Sequence, residues 1–214
     1  MPNLVPAQSE FILGGQRSGK SRRAELLARN WLAQSPEHKA VLIATAQSLD
    51  TEMAERIQRH QQGRAERVPG MQTIEEPIEL ARAIAQHGDA NTLVVVDCLT
   101  LWLTNLLMPH EVAAEPRVDE NWQKNVATDQ VHPYKADLAE QTRSLVASFL
   151  IAVDKSVGPV VIVGNEIGLG VIALGRDTRA FVDELGRLNQ DVAGVCARVT
   201  FMAAGLPLTL KSQP

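Results

Sequence analysis

Short apolar runs recur along this chain, each closed by a small or polar residue and followed by a stretch of helical periodicity. Phe11-Ile12-Leu13 ends at Gly14, and Val41-Leu42-Ile43-Ala44 ends at Thr45-Ala46-Gln47. Leu93-Val94-Val95-Val96 ends at Asp97, and Val160-Val161-Ile162-Val163 ends at Gly164-Asn165-Glu166. Unbroken apolar runs of this kind suit strands buried on both faces of a parallel sheet. Between them the pattern predicts helices. One runs from Arg22 to Trp31, with Ala24, Leu26, Leu27, Ala28 and Trp31 apolar. A second starts at Asp50-Thr51, reaches about Gln62 and stops near Gly63. A third starts on Pro77 and runs to about Gln86, since proline suits a first helical turn. Further helices span Leu99 to Leu107, Tyr134 to Asp154, and Arg176 to Ala193, the last with Phe181, Leu185, Leu188 and Val192 on one stripe. Thr73-Ile74-Glu75 reads as a short strand. Val199-Thr200-Phe201-Met202 and Leu208-Thr209-Leu210 read as closing strands joined at Gly205-Leu206-Pro207.

Strands alternating with helices predict an α/β fold: a doubly wound, mostly parallel sheet flanked by helices. The expected organisation is one domain over residues 1–214, with 1–9 as a loose leader and 108–133 as an insertion without firm periodicity. Ligands of such sheets sit beyond the carboxyl ends of the strands, so the site is expected at Gly14 onward, Thr45-Ala46-Gln47, Asp97-Cys98 and Asn165-Glu166.

Composition narrows the function. Apolar residues make up 45% and aromatic residues 4%, so the core must be aliphatic. A net charge of -4 argues against a general nucleic-acid role, whose usual footprint is a basic face. Cys98 and Cys196 lie far apart in apolar surroundings and read as buried thiols, not as a disulfide or a metal site. No apolar run approaches the roughly 18 residues of a membrane span, and no signal peptide is legible at the start. A cytoplasmic protein is the expectation.

Gly14-Gly15-Gln16-Arg17-Ser18-Gly19-Lys20-Ser21 fits G-x-x-x-x-G-K-[ST], between a predicted strand and a predicted helix. That context makes it a P-loop, and the fold a P-loop NTPase type. The glycines permit close backbone approach. The amides at the helix start face nucleotide phosphates. Lys20 reaches the β- and γ-phosphates, and Ser21 is a ligand for Mg2+. Asp97, at the end of the most apolar strand, fits either a Mg2+ carboxylate or a helix N-cap. Glu166 occupies a similar strand end and competes for the metal role.

The segment Glu52 to Arg64 is unusual. On a helix, Arg56 and His60 are four residues apart and share a face, and Arg64 follows. A histidine bracketed by arginines suits phosphate chemistry, because the cations disfavour imidazole protonation and leave a neutral nucleophile. A solvated helix carrying a surface histidine fits the same spacing.

Taken together these motifs resemble the bifunctional adenosylcobinamide kinase / adenosylcobinamide-phosphate guanylyltransferase family of cobalamin biosynthesis. The pieces are Gly14 to Arg22, Ile43 to Gln47 with Asp50 and Glu52-Met53, and Arg56-Ile57, His60 and Arg64 with Thr73 and Glu75. Later come Asp97 to Thr100, Thr104 to Leu107, Asn165 to Gly168 with Gly170, and Arg176, Phe181 and Gly186 to Gln190. The resemblance implies two reactions: phosphorylation of adenosylcobinamide by ATP or GTP, then transfer of GMP from GTP to adenosylcobinamide phosphate through a histidine-bound GMP. By position it places the nucleophile at His60. It places nucleotide contacts at Gly14, Gly15, Gln16, Arg17, Ser18, Gly19, Lys20, Ser21, Ala44, Thr45, Ala46, Gln61, Gln62, Gly63, Arg64, Glu75 and Asp97, with Mg2+ at Ser21 and Asp97. It also implies a homo-oligomer, a trimer. Some members carry a second histidine where this chain has Arg59, and 108–133 matches poorly. Two alternatives stand beside this reading. One is a P-loop small-molecule kinase without guanylyl transfer. The other is a nucleotide-dependent switch, although the chain lacks N-K-x-D.

Overall fold

The protein is described by a computed structural model, which covers residues 5–47, 58, 61–108, 133–170, 172 and 174–212. The strands are β1 (Ser9–Gly14), β2 (Lys39–Ala44), β3 (Met71–Glu75), β4 (Thr92–Asp97), β5 (Val160–Val163), β6 (Arg198–Ala203) and β7 (Leu206–Ser212). They form a seven-stranded sheet in the order β3-β2-β4-β5-β1-β6-β7. All neighbours run parallel except the β6–β7 pair. The helices are α1 (Lys20–Leu32), α2 (61–67), α3 (Leu80–His87), α4 (Leu99–Leu107), α5 (Pro133–Lys155) and α6 (Arg176–Val195).

The strand alternation sorts the core into two layers. Phe11, Leu13, Ile43, Val94, Val96, Val160 and Ile162 face Ile84, Trp102, Phe149, Leu185, Leu188 and Val192, contributed by α3 to α6. Ile12, Leu42, Leu93, Val95, Val161 and Val163 face Ala24, Leu27 and Ala28 of α1, with Val68 just past α2. β1, β2, β4 and β5 are therefore apolar on both sides, as their unbroken runs predict. The stripe of α6 is the one expected.

Four boundaries differ from expectation, each for a local reason. The leader is shorter, because the Gln8 carbonyl takes the Val160 N–H at 3.0 Å and Ser9 opens β1, its hydroxyl taking the Ala197 N–H at 2.9 Å. Gly63 does not stop its helix. Helix α2 continues to 67 because three residues beyond Gly63 anchor it. Arg64 and Val68 are buried, and Arg67 grips Glu25 of α1 with two bonds of 2.6 and 2.9 Å. Those anchors outweigh the ~1 kcal/mol helix penalty of glycine. Pro77 does not begin α3. The Glu76 carboxylate takes the Ile78 and Glu79 N–H groups at 3.1 and 2.9 Å, holding 76–79 as a turn, so the helix starts at Leu80. The final hairpin turns at Ala204-Gly205, both at positive φ (50° and 80°), as a two-residue hairpin requires. Leu206 and Pro207 already lie in β7, an edge strand that tolerates proline. The start of the helix expected from Asp50, and residues 109–132 of the insertion expected at 108–133, lie outside the described residues.

Candidate active site

β1 delivers the chain to the carboxyl edge of the sheet at Gly14, where φ is 150°. A Cβ there would collide with the Met202 carbonyl of β6 and come within 2.7 Å of the Ser18 hydroxyl, so only glycine fits. The loop then turns through Arg17 (φ 57°) and Gly19 (φ 101°) into α1. The Ser18 N–H closes on the Gly15 carbonyl at 3.3 Å, and the Ser18 carbonyl takes the Gly205 N–H at 3.0 Å. The β6–β7 turn thus props the loop from behind. No side chain caps α1 and no acidic residue lies in its first turn. Its first amides, those of Lys20, Ser21 and Arg22, are left for an external acceptor. Gly15, Gln16 and Arg17 are exposed, and Ser21 is half-buried.

The Lys20 side chain is 8% exposed and donates to the Gly15 carbonyl at 2.7 Å. Burial pushes its ammonium below the ordinary lysine range, and the nearby Cys98 and Asp97 partly offset this. The Ser18 hydroxyl is buried with no hydrogen-bond partner among the described residues. An orphaned hydroxyl, a desolvated ammonium and uncapped amides converge on one loop. That is the polarity of an anion cradle.

The neighbouring strand ends are tied together by one threonine. Thr45 follows β2 and is fully buried. Its N–H donates to the Asp97 carbonyl at 3.2 Å. Its hydroxyl donates to the Cys98 carbonyl at 2.8 Å and accepts the Cys98 N–H at 2.9 Å. Its carbonyl accepts from Asn105 of α4 at 2.8 Å, and the same amide reaches the Pro77 carbonyl at 3.1 Å. Ala44 and Ala46 on either side are half-buried and held in place by these bonds. Asp97, half-buried at the end of β4, lies opposite Ala44 and Val163 in register. Glu75 ends β3 opposite Ala44 and is exposed.

Past β5, the Asn165 N–H and side-chain amide both donate to the Thr100 hydroxyl, at 3.1 and 3.0 Å. Its carbonyl accepts from Asn189 of α6 at 3.1 Å. The Glu166 N–H donates to the Gly14 carbonyl at 3.2 Å. Cys98 and Cys196 are free and buried, as expected. Burial pushes their thiols up to about 11 and about 12, respectively.

The structure therefore brings Gly14 to Ser21, Ala44 to Ala46, Glu75, Asp97 and Glu166 to one edge of the sheet. Gln61 and Gln62 of α2 are exposed, and Gly63 is half-buried. Arg64 is buried against β3, its guanidinium donating to the Thr73 hydroxyl at 3.3 Å while Nε has no hydrogen-bond partner among the described residues. His60, with Arg56 and Arg59, lies outside the described residues. Residue-by-residue reading assigned no task to Thr100, Asn105 or Asn189, which fix the strand exits. The signal for Asn105 was present, since it is an amide inside the apolar helix Leu99–Leu107 and is 8% exposed.

Among the described residues no three His, Cys, Asp or Glu side chains form a metal cage. Mg2+ needs none, because it is held by one or two side chains together with substrate phosphates. The hydroxyl of Ser21 and the carboxylate of Asp97, which is close enough to influence Lys20, are suitable hard oxygen donors. No helix among the described residues is long and apolar enough to cross a membrane.

Residues 10–210 match the family described as CobU, cobinamide kinase / cobinamide phosphate guanyltransferase. Three curated relatives are similar along almost their whole length. The bifunctional adenosylcobalamin biosynthesis protein CobP of Pseudomonas aeruginosa is 40% identical, over 96% of this chain and 98% of its own. The bifunctional adenosylcobalamin biosynthesis proteins CobU of Escherichia coli and of Salmonella typhimurium are 32% and 31% identical, each over 94% of this chain and 98% of their own. With a P-loop on a mostly parallel sheet and a match over nearly all of its residues, the chain belongs to the cobinamide kinase / cobinamide phosphate guanyltransferase family.

Proposed function

We propose that the protein phosphorylates adenosylcobinamide with ATP or GTP, and then transfers GMP from GTP to adenosylcobinamide phosphate. Adenosylcobinamide-GDP and pyrophosphate are the products. The observation that carries this reading is the coincidence of the family match, over residues 10–210, with a P-loop whose lysine, amides and orphaned serine hydroxyl converge.

In the first reaction the acceptor's alcohol oxygen attacks the γ-phosphorus. Lys20 and the α1 amides hold the phosphates, so catalysis is mostly positioning and charge neutralisation. Ser21 and Asp97 would hold Mg2+, which supplies charge neutralisation on the phosphate oxygens. In the second reaction we assign the nucleophile to His60. Its neutral imidazole attacks the α-phosphorus, pyrophosphate leaves, and a phosphoramidate forms. The phosphate of adenosylcobinamide phosphate then attacks the same phosphorus and frees His60. Two in-line displacements retain configuration there. The assignment of His60 rests on the family resemblance. Gln61 to Arg64, Ala44 to Ala46 and Glu75 are proposed nucleotide contacts. The buried side chain of Arg64 supports β3 as well. We further propose a cytoplasmic homotrimer, on family resemblance.

Label from GTP tests the assignment. Wild-type protein should retain label from the α-phosphate but not from the γ-phosphate, in an acid-labile, alkali-stable bond. His60→Ala should lose that label and guanylyl transfer while phosphorylating adenosylcobinamide. If His60→Ala still takes up α-label, the assignment of the nucleophile is wrong. A wild type that phosphorylates but never takes up α-label points to a small-molecule kinase alone.

A further inference from the structure

Three nucleophiles act in the two reactions, and they differ in one respect. An alcohol must lose a proton as its oxygen bonds to phosphorus. A neutral imidazole already presents a lone pair, and a phosphate monoester is largely dianionic near neutral pH, its second pKa lying at about 6. The phosphorylation half therefore needs a general base that the guanylyl half does not.

Four described carboxylates stand at the carboxyl edge of the sheet: Glu75, Glu76, Asp97 and Glu166, and that of Glu76 is taken up by the Ile78 and Glu79 N–H groups and Arg82. The end of the P-loop that receives the γ-phosphate is marked by Lys20, whose amine rests on the Gly15 carbonyl at 2.7 Å. The backbone of Glu166 is bonded to the first residue of the loop, its N–H donating to the Gly14 carbonyl at 3.2 Å, next to the carbonyl on which Lys20 rests. β5 and β1 are direct neighbours, with Val163 opposite Ile12. Counted from β5, Asp97 stands one strand further away from β1 and Glu75 three strands further. Glu166 is also rigidly presented. Asn165 before it is fixed by two bonds to Thr100 of α4 and one from Asn189 of α6. One carboxylate oxygen, Oε1, accepts the Gly168 N–H at 2.8 Å, which sets the orientation of the group. Oε2, on a half-exposed side chain, takes no hydrogen bond among the described residues and is open to a ligand. Asp97 bears on the Lys20 ammonium. The two strand-end carboxylates are thus differently placed, one beside the phosphate-binding cation and one beside the loop's first residue.

We infer that Glu166 is the general base of the phosphorylation half-reaction, and that it takes the proton from the acceptor's alcohol. The inference rests on the two-reaction reading above. As the alcohol oxygen bonds to the γ-phosphorus, the bond from that phosphorus to the β,γ-bridging oxygen breaks. The nucleoside diphosphate leaves with the electron pair. The alcohol proton passes to Oε2 of Glu166 and from there to solvent. Glu166 touches the acceptor, and Asp97 keeps the metal.

Glu166→Gln tests this, because the amide oxygen can still accept the Gly168 N–H while the base is gone. Three quantities are measured on the full chain. They are phosphorylation of adenosylcobinamide by ATP and Mg2+, guanylyl transfer to separately prepared adenosylcobinamide phosphate, and capture of α-label from GTP. The kcat of phosphorylation should fall about 10²–10⁴-fold. KM for ATP should stay within about twofold, since nucleotide binding is untouched. Label capture and guanylyl transfer should persist, which also shows that the variant is folded. Glu166→Asp should recover part of the lost kcat. Phosphorylation kcat within about threefold of wild type overturns the inference. So does a parallel loss of phosphorylation, label and guanylyl transfer, which would make Glu166 part of the shared phosphate or metal site. A wild type that cannot phosphorylate adenosylcobinamide overturns the underlying reading instead, whatever the variant does.

Discussion

Thr45→Val replaces the hydroxyl that joins β2 to the β4 exit by a methyl group of nearly the same size. The site is fully buried, and the hydroxyl makes bonds of 2.8 and 2.9 Å to the Cys98 carbonyl and N–H. Removing it leaves the buried Cys98 N–H without a partner, while the Cys98 carbonyl keeps the Trp102 N–H at 3.1 Å. Such an orphan costs about 1–3 kcal/mol, so the variant should lose about that much stability. For a chain of this size each kcal/mol moves Tm by about 2–4 °C, giving a fall of roughly 2–12 °C. Thr45→Ser keeps the hydroxyl and loses one methyl, at about 1 kcal/mol. Thermal unfolding followed by circular dichroism compares the three proteins. The reasoning also reaches the site, because the same threonine holds Ala44 and Ala46 and sets the Asp97 carbonyl. Thr45→Val should therefore weaken nucleotide binding more than Thr45→Ser does. If the valine variant melts with the wild type, or the serine variant melts as low as the valine one, the hydroxyl is not the staple described here.

Further outcomes follow from the same geometry. Lys20→Ala should impair both half-reactions, assayed separately, because both draw on one phosphate cradle; full phosphorylation beside lost guanylyl transfer would refute the shared site. Cys98 and Cys196, with thiols pushed up to about 11 and about 12 by burial, should resist a thiol reagent at about pH 8 in native protein and react in denaturant. Rapid modification of folded protein would contradict their burial. Glu10 is fully buried between Arg23 at 2.8 Å, Arg198 at 3.3 Å and the Thr200 hydroxyl at 2.8 Å. Glu10→Ala leaves two guanidiniums without their carboxylate and should cost about 3 kcal/mol in urea unfolding, against near-zero cost if the cluster is only surface ornament.

What was legible in the chain is what local chemistry decides. The β4 strand declares itself because five of its six residues are buried, which forces an unbroken apolar run. Helix α4 matches its expected limits of Leu99 and Leu107, since its apolar pattern starts directly after Asp97-Cys98. The P-loop is legible because glycines at 14 and 19 answer to backbone angles of 150° and 101°. Partnerships across long sequence separations were not legible. Gly205 supports Ser18, and Asn105 links Thr45 to Pro77, but neither pairing leaves a periodic trace. Glu10 received no role from the sequence pattern, yet the fold encloses it between two arginines. The Gly63 stop failed because tertiary anchors at Arg64, Arg67 and Val68 override propensity. His60 was found through family resemblance, as helical spacing alone also fits a solvated surface.

The central claim is that one protein performs both reactions. Its most direct test is to incubate wild-type protein with adenosylcobinamide, GTP and Mg2+ and to identify the corrinoid products by mass. The account predicts an intermediate heavier by one phosphoryl group, converted with time into a product heavier by a further guanylyl group, with pyrophosphate released in equal amount. Accumulation of the phosphorylated corrinoid alone, with GTP in excess and no pyrophosphate, would contradict it.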